Sequence, residues 1–462
     1  MSSVHLPIVD DADDVRGSIL ASGKRKHIVV ADVRGRFHTA RRIVLAILVI
    51  FAAVLPWIPI RGAPAVFLDI EHRKFFLFGA TFNAQDAWLV FFLLSGAGFS
   101  LVYVTALAGR AWCGWACPQT VFLDAVYRPI ERWIEGPRNE HLRRDATPSF
   151  ARTWRKIVKH ALFVVVSVII AHVFLSYFVS LRAVFHMVQQ SPAEHPEAFA
   201  WAVGVSALFY VNFALFREQF CVVLCPYGRL QSVLLDDDSL VVGYDTKRGE
   251  PRGKKGTEGA GDCVDDGRCV AVCPTGIDIR DGLQLDCVAC TACIDACDDI
   301  MDRLKRPRGL IRYDSPHGLA GERTRILRPR ILLYTVLMVV GAVVASFALR
   351  TRTDFEATVI RLPGAPYVLD GESVRNGFDV HLVNKMGSHQ AFDLTVDAPP
   401  GASVVLPLSH VELDSLAEAH ASLFVVAPRT LHLHDAVVHV SVARAGTDGT
   451  DRVDSNVRFL GE

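Results

Sequence analysis

Five stretches of this chain, Ile43 to Ile60, Ala87 to Leu107, Ala161 to Leu181, Ala198 to Phe216 and Ile331 to Leu349, contain no Asp, Glu, Lys or Arg. A bilayer core is about 30 Å thick and takes about 20 apolar helical residues to cross, because unpaired backbone groups are too costly in hydrocarbon. Five such segments argue for a membrane protein rather than a large soluble one with buried helices. A mean hydropathy of +0.29 agrees. At 462 residues, two or three separately organised regions are expected. The N-terminus is polar up to Ile43 and shows no cleavage pattern, so the first apolar segment is expected to stay as an anchor.

Lys and Arg concentrate on the cytoplasmic side of spanning proteins. The segment through Arg42 holds eight of them, connection 61–86 three, connection 108–160 ten and connection 182–197 one. This alternation assigns the N-terminal tail (1–42), the loop 108–160 and the long region 217–330 to the cytoplasm. Four spans occupy 43–216 and the fifth 331–349. The tail 350–462 then lies outside. Its short alternating runs, such as Phe378-Asp-Val-His-Leu, predict a small β-sandwich.

All eleven cysteines fall between Cys113 and Cys297, a distribution that argues for ligands rather than disulfide staples. Bacterial two-cluster ferredoxins use C-x2-C-x2-C-x3-C-P twice, the last cysteine of each run ligating the other cluster. Cys287, Cys290, Cys293 and Cys297 keep that spacing, and Cys273 precedes Pro274. A ferredoxin-like domain at about 255–300 is therefore expected to hold one [4Fe-4S] cluster on Cys273, Cys287, Cys290 and Cys293. A second cluster falls to Cys263, Cys269 and Cys297, with Asp266 where the fourth thiol is expected. A carboxylate is a harder and weaker donor to this iron, so this cluster is expected to be an Asp-ligated [4Fe-4S] or a [3Fe-4S] one. Zinc on paired CxxC motifs is the competing structural assignment. The Gly-rich stretch from Gly249 to Gly259 is expected to be a mobile loop.

Two further units, Cys113-Gly-Trp-Ala-Cys117-Pro and Cys221-Val-Val-Leu-Cys225-Pro, follow the second and fourth spans. If helical, a C-x3-C spacing sets both sulfurs on one face. Four soft donors at the membrane face suit Cu(I), zinc or an iron-sulfur cluster, or a thiol-disulfide cycle. Arg110 and Arg217 stand near enough in sequence to lower the thiol pKa values. His172, within the third span, is expected to bond a neighbouring helix, and His160 does not pair with it as a haem site would require.

With these spans, Cys113-Gly-Trp-Ala-Cys-Pro-Gln-Thr, Cys221-x3-Cys-Pro-Tyr-Gly, Tyr244-Asp-Thr-Lys-Arg-Gly-Glu-Pro-Arg-Gly and Val272-Cys-Pro-Thr-Gly-Ile-Asp-Ile-Arg-Asp-Gly, the chain resembles the FixG/RdxA/CcoG family of cytochrome c oxidase accessory proteins. The resemblance covers nearly the whole chain and departs from it at Asp266. It implies an immunoglobulin-like C-terminal domain in the periplasm, a bacterial inner membrane as the location, and a role in assembling cbb-type oxidases through cupric reductase activity, converting Cu(II) to Cu(I); on the residues' own soft-donor chemistry, that copper is expected at Cys113, Cys117, Cys221 and Cys225. The partners implied are the membrane, a cytoplasmic electron donor, and a copper chaperone or oxidase subunits; nucleic acid is not among them. A quinol-linked conduit to a periplasmic acceptor and a non-enzymatic assembly scaffold are the alternatives.

Overall fold

The computed structural model describes residues 28–461, apart from 61–62, 71–73, 83–85, 255, 352, 416, 432, 434 and 448–450; the tail before residue 28 lies outside the described residues. Five helices are long and apolar enough to cross a membrane. They are α1 (Arg36–Val54), α2 (Ala87–Ala108), α3 (Phe150–Leu175), α4 (Pro196–Tyr210) and α5 (Pro329–Arg350). Apolar side chains remain exposed along them, with Phe91 and Leu94 at 66% and Phe347 at 69%. Lipid is the medium that would cover such a surface.

The helices differ from the apolar runs at their polar ends. α1 begins at Arg36 and α3 at Phe150, because charged first turns find partners outside hydrocarbon: Arg41 pairs with Asp124, and the Ser149 hydroxyl accepts the Arg152 N–H at 3.2 Å. α3 stops at Leu175, and a separate helix, Leu181–Gln189, starts after the Ser180 cap.

The chain forms two compact units. The first comprises the residues up to Trp57 together with 92–342. Its helical core stacks Tyr127 against Phe163 and Phe213, ring centroids 5.2 Å apart in both cases, and the Tyr127 hydroxyl meets Ser167 Oγ at 2.7 Å. A second core surrounds the cysteine-rich segment. Strands Val241–Tyr244 and Ile311–Asp314 pair antiparallel there, and Val242, Ile279, Ile294, Met301 and Leu310 pack around them. Withdrawing each large aliphatic side chain from water contributes roughly 1.5–3 kcal/mol. The Gly249–Gly259 stretch is tied down rather than loose: Gly253 N–H donates to the Cys263 carbonyl at 3.2 Å, and Asp262 N–H to that of Arg248 at 2.8 Å.

The second unit, 58–91 with 343–462, holds a two-sheet β-sandwich. Its strands are β1 (Phe355–Arg361), β2 (Val368–Asp370), β3 (Ser373–Asn384), β4 (Gln390–Asp397), β5 (Ser403–Val405), β6 (His410–Leu413), β7 (Glu418–Pro428), β8 (Ala436–Arg444) and β9 (Arg452–Phe459). One sheet runs β5-β7-β3-β1 with β2 beside β3, the other β6-β4-β8-β9, all antiparallel. Alternation sends Phe378, Val380 and Leu382 into the core, where Phe355 and Phe392 close the gap between sheets at 4.9 Å. The unit also takes in a three-stranded meander over 66–82, and buried Lys385 pairs with Asp86 at 3.1 Å and Glu356 at 2.8 Å.

Candidate redox site

The ferredoxin spacing becomes a pair of adjoining pockets. Cys273, Cys287, Cys290 and Cys293 line the first, together with Cys269, Pro274, Val242, Ile277 and Ile279. Cys263, Cys269, Cys297 and Asp266 line the second, with Tyr244, Ile300 and Leu310. The crossover is visible in this division. Cys273 leaves its own run to join the first pocket, and Cys297, midway along helix Ala292–Arg303, reaches the second.

The donor chemistry of each pocket suits an iron-sulfur cluster. Apolar walls exclude water from soft sulfur, and polar hydrogens reach the thiols: Ala289 N–H lies 3.5 Å from Cys287 Sγ, and Thr275 Oγ1 3.3 Å from Cys273 Sγ. Burial pushes the Cys287 and Cys297 thiols up to about 12 and Cys269 up to about 11. Thiols at these values ionise only when a bound cation compensates them. Beside the second pocket, Arg280 Nη1 stands 3.9 Å from Cys263 Sγ, held by Asp278 at 2.6 Å and Asp265 at 2.5 Å. Asp266 accepts the Arg268 N–H at 3.3 Å and keeps an exposed edge.

The two Cys-Pro units are built alike, though not as single helices. Cys113 sits in the short helix Ala111–Trp115 and Cys221 in the π-helical turn Phe220–Leu224. Cys117 and Cys225 are the N-cap residues of the next helices, Pro118–Phe122 and Pro226–Leu234, each with proline at the first position. Proline is favoured there because its missing N–H would have no intrahelical partner. Cys113, Cys117 and Cys225 lie within electrostatic reach of Cys221, though among the described residues no three His, Cys, Asp or Glu side chains stand close enough together to hold a metal ion. Burial first, then Cys117, Cys113 and Cys225, push the Cys221 thiol up to about 12. Burial and then Cys117 push Cys113 up to about 11, against the Gln231 hydrogen bond (Sγ to Oε1, 3.6 Å) and Arg110.

The arginines therefore do not leave these thiols with depressed pKa values, as their sequence proximity suggested. Arg217 turns instead to Glu131, 2.8 Å away. Arg110 does face Cys113, but burial outweighs its charge. His172 donates to the Val168 carbonyl of its own helix at 2.7 Å, and it is His160 that crosses to another helix, meeting Tyr210 Oη at 2.9 Å.

What the sequence reading missed is the packing between the two cysteine systems. Arg110, 7% exposed, donates to the carbonyls of Leu285, Cys287 (2.9 Å) and Gly228 (3.3 Å), spanning the ferredoxin loop and the second Cys-Pro helix. Arg41 donates to the Gly114 carbonyl at 2.6 Å, and its charge favours ionisation of Cys290. A further signal lay in the motif itself: C-x3-C-P, present at Cys113 and at Cys221, is the closing half of a ferredoxin run.

Known proteins bear on these motifs in the same places. The 4Fe-4S dicluster domain matches residues 216–316, a 4Fe-4S binding domain matches 88–137, and the IG-like fold at the C-terminus of FixG, described as a putative oxidoreductase, matches 345–462. Nitrogen fixation protein FixG of Rhizobium meliloti is 36% identical over 439 residues, covering 85% of this chain and 83% of its own. Protein RdxA of Cereibacter sphaeroides is 38% identical over 394 residues, 82% of this chain and 83% of its own, and Protein RdxB of that organism 33% over 458 residues, 94% and 93%. Two 4Fe-4S binding domains, membrane-spanning helices and an immunoglobulin-like domain thus occur in one chain related over most of its length to FixG, RdxA and RdxB. The chain belongs to the FixG/RdxA family of membrane iron-sulfur electron-transfer proteins.

Proposed function

We propose that this protein is a cupric reductase of the bacterial inner membrane that supplies Cu(I) for assembly of a cbb-type cytochrome c oxidase. Cys273, Cys287, Cys290 and Cys293 hold one [4Fe-4S] cluster; Cys263, Cys269 and Cys297 hold the second, with Asp266 at its fourth corner. When bound, these clusters supply one-electron storage at low potential. Cys113, Cys117, Cys221 and Cys225 receive copper as substrate, each Cu(II) taking one electron and remaining as Cu(I) on soft sulfur. The repeated Cys-x3-Cys-Pro unit, with Cys117 and Cys225 each capping a helix that opens on proline and Cys221 within electrostatic reach of the other three thiols, is the observation that carries this reading.

The chain's own residues prepare that site. Burial keeps Cys113, Cys117 and Cys221 neutral until a cation arrives, and binding then releases their protons. At Cys117 burial outweighs the N–H groups of Gln119 and Thr120, which oppose it from the start of helix Pro118–Phe122. Gln231 fixes the Cys113 sulfur.

The test is anaerobic reduction of the purified protein, addition of Cu(II), and trapping of Cu(I) with a chromogenic chelator, beside iron and zinc analysis. Cu(I) is expected in proportion to reduced cluster. No Cu(I) above an unreduced control refutes copper reduction, and quinol-dependent cluster reduction indifferent to copper would favour a conduit to another acceptor.

A further inference from the structure

We infer that Gly114 and Arg110 form an electron-transfer seam that presses the Cys113 unit onto the Cys287–Cys290 loop, so that the all-cysteine cluster site is the exit toward the membrane thiols and the Asp266 site is the remote one. The inference rests on the reading of the pockets as cluster sites and deepens it by assigning the order of the sites and the residues that join them.

Gly114 has no room for a side chain. A Cβ built on it would lie 2.8 Å from the Val288 carbonyl oxygen and closer still to that of Ala289. Val288 and Ala289 are the two residues between Cys287 and Cys290, and Gly114 is bonded to Cys113. Backbone therefore meets backbone between a thiol of the first pocket and a thiol of the membrane quartet, with one residue on each side.

Hydrogen bonds hold the contact from both flanks. Arg110 ties the Leu285 and Cys287 carbonyls to that of Gly228, and Arg41 holds the Gly114 carbonyl at 2.6 Å. On the other side Trp115 Nε1 donates to Tyr313 Oη at 3.1 Å, which donates to the Ala289 carbonyl at 3.1 Å. Among the described residues, none of those lining the second pocket hydrogen-bonds to either Cys-Pro unit. For each Cu(II) that became Cu(I) at the thiols, a one-electron cytoplasmic reductant would lose one electron, and Arg110 and Gly114 would hold the residues of the first site against the Cys113 unit for its passage.

Gly114→Val and the milder Arg110→Lys, which keeps the charge but loses the three-carbonyl fork, test this in the full-length protein in nanodiscs. Gly96→Ala, where nothing lies within 4 Å, serves as the control. After dithionite reduction, mixing with Cu(II) should reoxidise the clusters several-fold more slowly in Gly114→Val, because parting the two backbones lengthens the path the electron must tunnel. Spin counts of both clusters should stay unchanged. A second readout needs no turnover: Co(II) bound to the membrane thiols should shorten the spin relaxation of one cluster strongly in the parent protein and weakly in both seam variants.

Equal rates and equal relaxation in cluster-replete variants would overturn the seam. If the parent protein relaxes as expected but never reduces Cu(II), copper reduction falls and the seam stands. If Co(II) relaxes parent and seam variants alike, the seam falls whatever copper does.

Discussion

At the scale of single residues, Asp266 separates this chain from a symmetric two-cluster ferredoxin. It lines the second pocket beside Cys263, Cys269 and Cys297, yet its carboxylate is exposed and already accepts a backbone N–H from Arg268. A carboxylate so placed exchanges with water more readily than a buried thiolate would. Asp266→Cys is therefore expected to raise the iron content per chain and to convert any [3Fe-4S] signal of the oxidised protein into a [4Fe-4S] one, read by iron analysis and EPR. Unchanged iron and unchanged spectra would mean that Asp266 is no weak corner. The cluster residues were legible because ligand spacing is local. Arg110, Arg41 and Gly114 were not, since their partners lie 73 to 177 residues away in sequence and no short-range pattern encodes such a meeting.

At the scale of elements, a buried lattice of charges joins α1, the loop after α2 and the turn after α4. Arg41 and Arg128 both pair with Asp124, Arg128 also with Glu218, Arg217 with Glu131, and Lys159 with Glu131 and Glu135. Burial would raise the Asp124 pKa, but Arg128 and then Arg41 hold it below the ordinary carboxylate value. A depressed carboxylate contributes stability above its unfolded pKa, about 3.9, and loses it as pH falls through the folded value. Asp124→Asn leaves Arg41 without its carboxylate and Arg128 with Glu218 alone, and should cost about 3 kcal/mol at neutral pH. Chemical unfolding at pH 7 measures that cost, and in the variant the Asp124 contribution to the acid limb below about pH 4 should vanish. The apolar runs located the five helices, but their ends were set by this lattice and by Ser149 and Ser180, which hydropathy alone does not register.

At the scale of the whole molecule, the division into two compact units follows the charge bias along the chain. Connection 58–91 folds with the C-terminal sandwich through Lys385, Asp86 and Glu356, whereas the arginine-rich loop after α2 and the cysteine-rich region belong to the other unit. Segments that fold together must reach the same side of a bilayer unless a span lies between them, so the partition supports the orientation read from Lys and Arg. On the proposed orientation, Glu372 would face the outside and Asn139 the cytoplasm. A single cysteine at Glu372, exposed at the turn into β3, should react with a membrane-impermeant maleimide in intact spheroplasts. One at exposed Asn139 should react only after lysis, as should the native thiols. Labelling of Asn139→Cys in intact spheroplasts, with Glu372→Cys protected, would invert the topology and place the cluster pockets in an oxidising compartment, where low-potential electron storage fails.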